Sequence, residues 1–169
     1  HTSPEKISNS NEVCGPRMYS DFLHSPWPIQ IYYDLPSAQS CAQEQNKPLF
    51  LLFDGHTTSS TRKVWEKAVT PQITKILKEK YITVMLYVDE RSEAPKDHWV
   101  VNGDDTLKRI GEINLHIQMN RFNTNGQPFF YIMDTEGKVV AIYGGYKASM
   151  GNDLYKLLVL NGMRFKGNK

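Results

Sequence analysis

A chain of 169 residues that is 40% hydrophobic, 11% aromatic and 22% charged suffices for one globular domain with a single core; collagen-like, coiled-coil and wholly disordered readings are excluded. With 20 Lys and Arg against 18 Asp and Glu, the formal charge of +2 is too small and too evenly mixed for the field of a nucleic-acid binder. No stretch approaches the roughly 18 to 20 consecutive apolar residues of a membrane span, and the first residues lack the order of a signal peptide. A soluble chain is expected, with any export signal already removed.

Residues 1–28 are polar, carry prolines at 4, 16, 26 and 28, and show no sustained period. They predict an irregular N-terminal arm, with the domain itself over 29–169. Ile29 to Tyr33 is a short β-prone run; Asp34 then caps a helix from about Pro36 to Gln45, with proline in the first turn where its missing N–H is harmless. Asn46-Lys47-Pro48 ends that helix. The continuous apolar run Leu49 to Phe53, bounded by Pro48 and by Asp54-Gly55, predicts a strand buried on both faces. Helical spacing follows from about Ser59 to Tyr81 through Val64, Ala68, Ile73, Ile76 and Leu77, interrupted at Thr70-Pro71. Ile82 to Val88 is a second buried strand, and the strand–helix–strand order predicts a parallel βαβ unit.

Asp89 to Thr106 carries charges, Pro95 and Gly103 without a period and predicts a surface excursion. Leu107 to Met119 returns to helical spacing, which Gly111 weakens. Turn chemistry at Asn123 to Pro128 feeds a strand at Phe129 to Met133, a turn at Asp134 to Gly137 and a partner strand at Val139 to Tyr143. A last helix is expected from about Asn152 to Leu160, closed by Asn161-Gly162.

The only two cysteines, Cys14 and Cys41, are too few for a zinc site or a dense disulfide scaffold. They can pair once, stabilising the fold by roughly 3 to 4 kcal/mol if their Cα atoms lie within about 7 Å, or they can be two independent small buried residues. Both readings stay open. Cys41 shares a helix face with Ala38 and Ala42, which points to packing rather than to a reactive thiol. Asp54, His56, Thr58, Ser59 and Ser60 set acid, imidazole and hydroxyl in one loop. Adjacency supplies neither a base in reach nor donors for an oxyanion, and the plain role of such a hydroxyl is to cap the following helix, whose free N–H groups can also hold a small anion. A hydrolase or transferase built on 54–61 is the third functional class. His24, His56, His98 and His116 show no ligand spacing, so no metal is expected. Trp27, Trp65 and Trp99 are expected to pack the core and its rim, with Trp99 on the polar excursion as a candidate contact.

Three segments carry a family resemblance: Asn46 to Gly55 leading into Arg62-Lys63; Leu107 to Gly111 with Arg121-Phe122; and Gln127 to Tyr131 running on to Lys138. They resemble the C-terminal thioredoxin-like domain of the membrane thiol:disulfide interchange proteins of the DsbD type, over about residues 31 to 165. The resemblance implies an α/β thioredoxin fold, a mixed central sheet flanked by helices. It also implies protein-disulfide reductase ancestry and an exported, periplasm-like location; no cofactor is expected. In that family a Cys-x-x-Cys pair opens the helix before the Arg-Lys; here the matching positions are Thr58-Ser59-Ser60-Thr61. Thiol–disulfide exchange needs one thiolate to attack and a second thiol to resolve, and a hydroxyl does neither. The family's buried Asp, six positions before the first cysteine, is matched by Leu52, while Asp54 is expected in the solvated loop. The resemblance makes Pro128 the cis-proline facing the motif loop. That feature has two readings: fold geometry alone, or a surviving groove in which His56, Thr58, Gln127 and Pro128 meet an extended peptide or protein partner. The resulting expectation is a redox-inactive binding or structural module without catalytic residues. The alternative is a periplasmic thiol–disulfide oxidoreductase, a cell redox homeostasis protein, using Cys14 or Cys41.

Overall fold

Alternation along β2 (Leu49–Asp54) explains why this strand is apolar throughout. Leu49, Leu51 and Phe53 face one layer of helices, Phe50 and Leu52 face the other, and every residue of the strand is buried. The computed structural model describes residues 14–25, 27–56 and 66–167, with side chains through 162. Beside β2 on one side runs β3 (Ile82–Tyr87), parallel to it, and beyond β3 lies the short parallel strand β1 (Ile31–Tyr32). On the other side β6 (Phe129–Met133) is antiparallel to β2, and β7 (Val139–Gly144) is antiparallel to β6. The order β1-β3-β2-β6-β7 makes a five-stranded mixed sheet.

Helix α1 (Leu35–Gln45) starts where sequence placed its cap: the Asp34 carboxylate accepts from the Ser37 amide at 2.9 Å, and Asn46 ends the helix in the left-handed region. A helical turn at 66–68 precedes α2 (Pro71–Lys80), whose cap is the Thr70 hydroxyl accepting from the Ile73 amide. The break expected at Thr70-Pro71 is therefore real. The expected helix start near Ser59, with Val64 and Trp65, lies outside the described residues, as do Arg62-Lys63 and the arm's first 13 positions. Helices α1 and α3 (Ile110–Arg121) cover one face of the sheet, over Leu51, Phe53, Val84, Leu86 and Tyr131. Helices α2 and α4 (Met150–Gly167) cover the other, over Phe50, Leu52, Met85 and Phe130.

The structure departs from the expected elements in three places. The 89–106 excursion contains a 3-10 turn (Lys96–His98) and a two-stranded hairpin of β4 (Val100–Asn102) and β5 (Asp105–Leu107), so Leu107 is a strand residue rather than the start of a helix. Helix α3 begins at Ile110, and Gly111 serves it: the Gly111 amide donates to the Glu90 carbonyl at 2.9 Å, an approach that no larger residue allows. Helix α4 does not close at Asn161-Gly162. Asn161 lies inside it, buried, with Nδ2 donating to the Leu157 carbonyl at 2.8 Å, a bond within the helix that leaves its backbone ladder to continue.

From Cys14 onward the described part of the arm belongs to the packed structure. Leu23 and Trp27 are buried in the cluster beneath α2 and α4, and Arg17 Nη1 donates to the Ile31 carbonyl on the outer edge of β1 at 2.6 Å. Trp99 is half-buried, with Nε1 donating to the Ala94 carbonyl and the Lys108 ammonium 4.9 Å from its ring.

Candidate functional site

Parallel register brings the C-terminal ends of β2 and β3 together, with Asp54 paired to Tyr87. In open α/β sheets the crevice at the carboxyl ends of the strands is where ligands bind. The chain leaving β2 turns at Gly55, and the His56 amide donates to both Asp89 oxygens at 2.9 Å. The His56 ring stacks on Tyr87 at 3.8 Å, and its Nε2 meets Glu90 Oε1 at 2.8 Å. Glu90 is fixed from behind by Ser92, whose amide and hydroxyl both donate to Oε2, at 3.1 and 2.6 Å. Burial works to raise the Glu90 carboxyl, but the Ser92 donors and His56 outweigh it and hold it below the usual carboxylate range. Burial, reinforced by Tyr33 and by the carboxyls of Asp54, Asp89 and Glu90, pushes the Tyr87 phenol far up, so it is a neutral donor; its hydroxyl donates to the His24 carbonyl of the arm at 2.9 Å.

Asp54 corrects an expectation. It is fully buried rather than solvated, because β2 runs one residue further than its apolar run: the Val88 amide donates to the Asp54 carbonyl, and Oδ1 accepts from the Gly55 amide at 2.9 Å. The carboxyl shares the face of Leu52 and lies at the cleft end of the strand.

The second wall is the loop before β6. Since Phe129 pairs with Phe53, the preceding residue, Pro128, comes to the level of Asp54. The Gln127–Pro128 peptide bond is cis, and the Pro128 carbonyl accepts from the Gly145 amide at 2.9 Å. The loop is clamped from α3 by Gln118, which is completely buried. Gln118 Nε2 donates to the Gly126 carbonyl at 2.7 Å, and Gln118 Oε1 accepts from Gln127 Nε2 at 3.0 Å. Thr124 adds hydrogen bonds to Gln118 and to the Tyr131 hydroxyl. The Gln127 side chain is thus turned back onto α3 and the Asn125 carbonyl.

Of the expected site residues, His56, Gln127 and Pro128 belong to this end of the sheet, and Thr58, Ser59, Ser60 and Thr61 lie outside the described residues. Cys14 and Cys41 form a disulfide, with Cα atoms 5.5 Å apart, in the cluster on the α1 and α3 face. Cys41 is 1% exposed, and α1 ends only three residues before β2 begins, so the bridge sits toward the other end of the strands from His56. Among the described residues no three His, Cys, Asp or Glu side chains converge as a metal site would require. Sequence reading missed Tyr87, Asp89, Glu90 and Gln118. The signal for the first three was the parallel βαβ unit itself, which obliges residues just past the two strands to meet; Gln118 gave none, being a polar residue in a helix.

No protein-family model and no curated protein matches this chain. Solved structures do. An oxidoreductase, DsbH, superposes with a TM-score of 0.55 at 15% identity, covering 92% of this chain and 99% of its own. A thioredoxin from Thermus thermophilus superposes at 0.53, also at 15% identity, covering 78% of this chain and 88% of its own. The chain has a thioredoxin fold. Among the described residues no helix is long and apolar enough to cross a membrane.

Proposed function

We propose that this chain is a thioredoxin-fold domain related to the DsbD-type interchange proteins that has given up thiol–disulfide turnover and uses the cleft between His56 and Pro128 to hold an extended peptide or protein segment. One observation carries the reading: the four motif positions Thr58 to Thr61 hold no sulfur, while the chain's two cysteines are bonded to each other in the cluster under α1, toward the other end of the strands. A catalytic disulfide needs an accessible, low-pKa sulfur, and a bridge with one partner 1% exposed is poorly placed for repeated exchange. The two segments that would flank such a partner are nonetheless held in place. Gln118 fixes one wall and the His56–Glu90 pair the other, the kind of rigid frame on which main-chain hydrogen bonds to an extended partner supply affinity. The oxidised bridge also supports an exported, oxidising location.

The test is an insulin-disulfide reduction assay with a thiol co-reductant, run on the native chain and on Thr58→Cys/Thr61→Cys. The native chain is expected to be inert and the variant to turn over, showing that a substrate peptide still reaches the cleft. Turnover by the native chain that disappears in Cys14→Ala/Cys41→Ala would overturn the reading in favour of an oxidoreductase working through that pair.

A further inference from the structure

The arm links two places that are otherwise remote. At Cys14 it is bonded to α1 on one face of the sheet; it then passes the β1 edge, where Arg17 holds the Ile31 carbonyl, and buries Leu23 and Trp27 on the opposite face. There the His24 carbonyl accepts from the Tyr87 hydroxyl at 2.9 Å, and the other side of that link is the cleft, since the Tyr87 ring carries the His56 ring at 3.8 Å. A continuous path therefore runs from the disulfide, along the arm, through one phenol, to the imidazole that pairs with Glu90.

Two features bear on how far the arm's conformation depends on its tether. Cys14 and Tyr19, neither of them glycine, have φ of 66° and 68°, in the left-handed region that side chains disfavour. Between Cys14 and the buried Leu23, the Arg17 guanidinium holds Ile31, Tyr19 packs against the core, and short-range turn bonds such as Leu23 N–H to the Tyr19 carbonyl fold the segment on itself. Cutting the bridge leaves that strain unopposed at one end.

We propose that the Cys14–Cys41 bridge is a redox-operated latch: a dithiol reductant opens it, the arm loosens, and the His24–Tyr87 link that steadies His56 in the cleft is lost. One thiolate of the reductant attacks Cys14 Sγ, the more exposed sulfur of the pair, and Cys41 leaves as thiolate. The reductant's second thiol then resolves the mixed disulfide. The reductant becomes a disulfide, and two electrons and two protons end on Cys14 and Cys41. The event is stoichiometric and reversed by oxidation. That it regulates binding rests on the groove reading above; the coupling from arm to cleft does not.

The experiment is NMR on the full chain without any peptide, oxidised and then reduced with dithiothreitol, following the His56 ring resonances and amide exchange at Phe22 and Leu23. Reduction is expected to speed exchange at those amides at least ten-fold and to shift His56, with both restored on reoxidation. In Tyr87→Phe, which keeps the ring and loses the hydroxyl, the arm should still loosen on reduction while His56 no longer responds. Amides that stay protected after reduction overturn the proposal, and so does an arm that loosens while His56 stays put. The native-chain comparison decides the matter even if Tyr87→Phe does not fold. Because no peptide is present, failure of the groove reading leaves this result intact, and failure of the latch leaves the groove reading standing.

Discussion

Thr83 lies in the middle of β3, 2% exposed, with no hydrogen-bond partner for its hydroxyl among the described residues. It shares the face of Met85 and Tyr87, where the surroundings are apolar. A buried hydroxyl left unmatched costs roughly 1 to 3 kcal/mol, and valine fills nearly the same volume with the same β-branched shape. Thr83→Val should therefore raise the unfolding free energy by about 1 kcal/mol, seen as a higher urea midpoint at an unchanged slope. A lower midpoint would mean that the hydroxyl is engaged after all. The contrast with Gln118 and Asn114 is instructive. Both are buried amides, but the first clamps the loop before β6, and the second donates to the Tyr87 carbonyl at 2.8 Å. Polar burial at those two positions builds the cleft; at Thr83 it builds nothing.

At the scale of elements, the contact between α3 and the segment after β3 decides whether Asp89 and Glu90 stand where His56 can use them. Gly111 makes that contact possible: a Cβ there would lie 2.6 Å from the Glu90 nitrogen and 2.8 Å from the Val88 carbonyl oxygen. These are backbone atoms and cannot rotate away. Alanine is the better helix former by about 1 kcal/mol, yet overpacking of this kind costs roughly 1 to 3 kcal/mol. Gly111→Ala should thus lower the thermal midpoint and disturb the His56 resonances together; a variant of unchanged or higher midpoint would show that α3 has room to shift. The same residue shows why sequence reading was uneven. Propensity counts Gly111 against a helix, whereas the structure needs it for close approach. The strands β2, β3, β6 and β7 were legible because burial on two faces, or a turn between apolar runs, marks the sequence directly. The β4–β5 hairpin was not, since its strands are three residues each and largely exposed, and such strands carry no alternation. The cleft was half legible. His56 stood out in its loop, but its partners lie 33 and 34 positions away and meet it only through parallel register.

Across the whole molecule the two edges of the sheet are treated differently. The β7 edge carries Val140 and Ile142, both exposed, and a register irregularity opposite Ile132 and Met133, the kind of interruption that blunts a sheet edge. The β1 edge is strapped by the arm, and the arm is cross-linked to α1, so the disulfide closes a loop containing all of β1 and most of α1. Its contribution follows from chain entropy. A loop with a sequence separation of 27 corresponds to about 3 to 4 kcal/mol less freedom in the unfolded chain. For a domain of this size each kcal/mol is worth roughly 2 to 4 °C in the midpoint. Cys14→Ala/Cys41→Ala should therefore melt about 10 °C below the oxidised chain, and adding a reductant should lower the native midpoint while leaving the variant's unchanged. If instead the variant melts within a degree of the oxidised chain, the strap adds nothing to global stability. The burial of Leu23 and Trp27, with the Arg17 and Tyr87 hydrogen bonds, then holds the arm to the core, and the β1 edge is covered without help from the bridge.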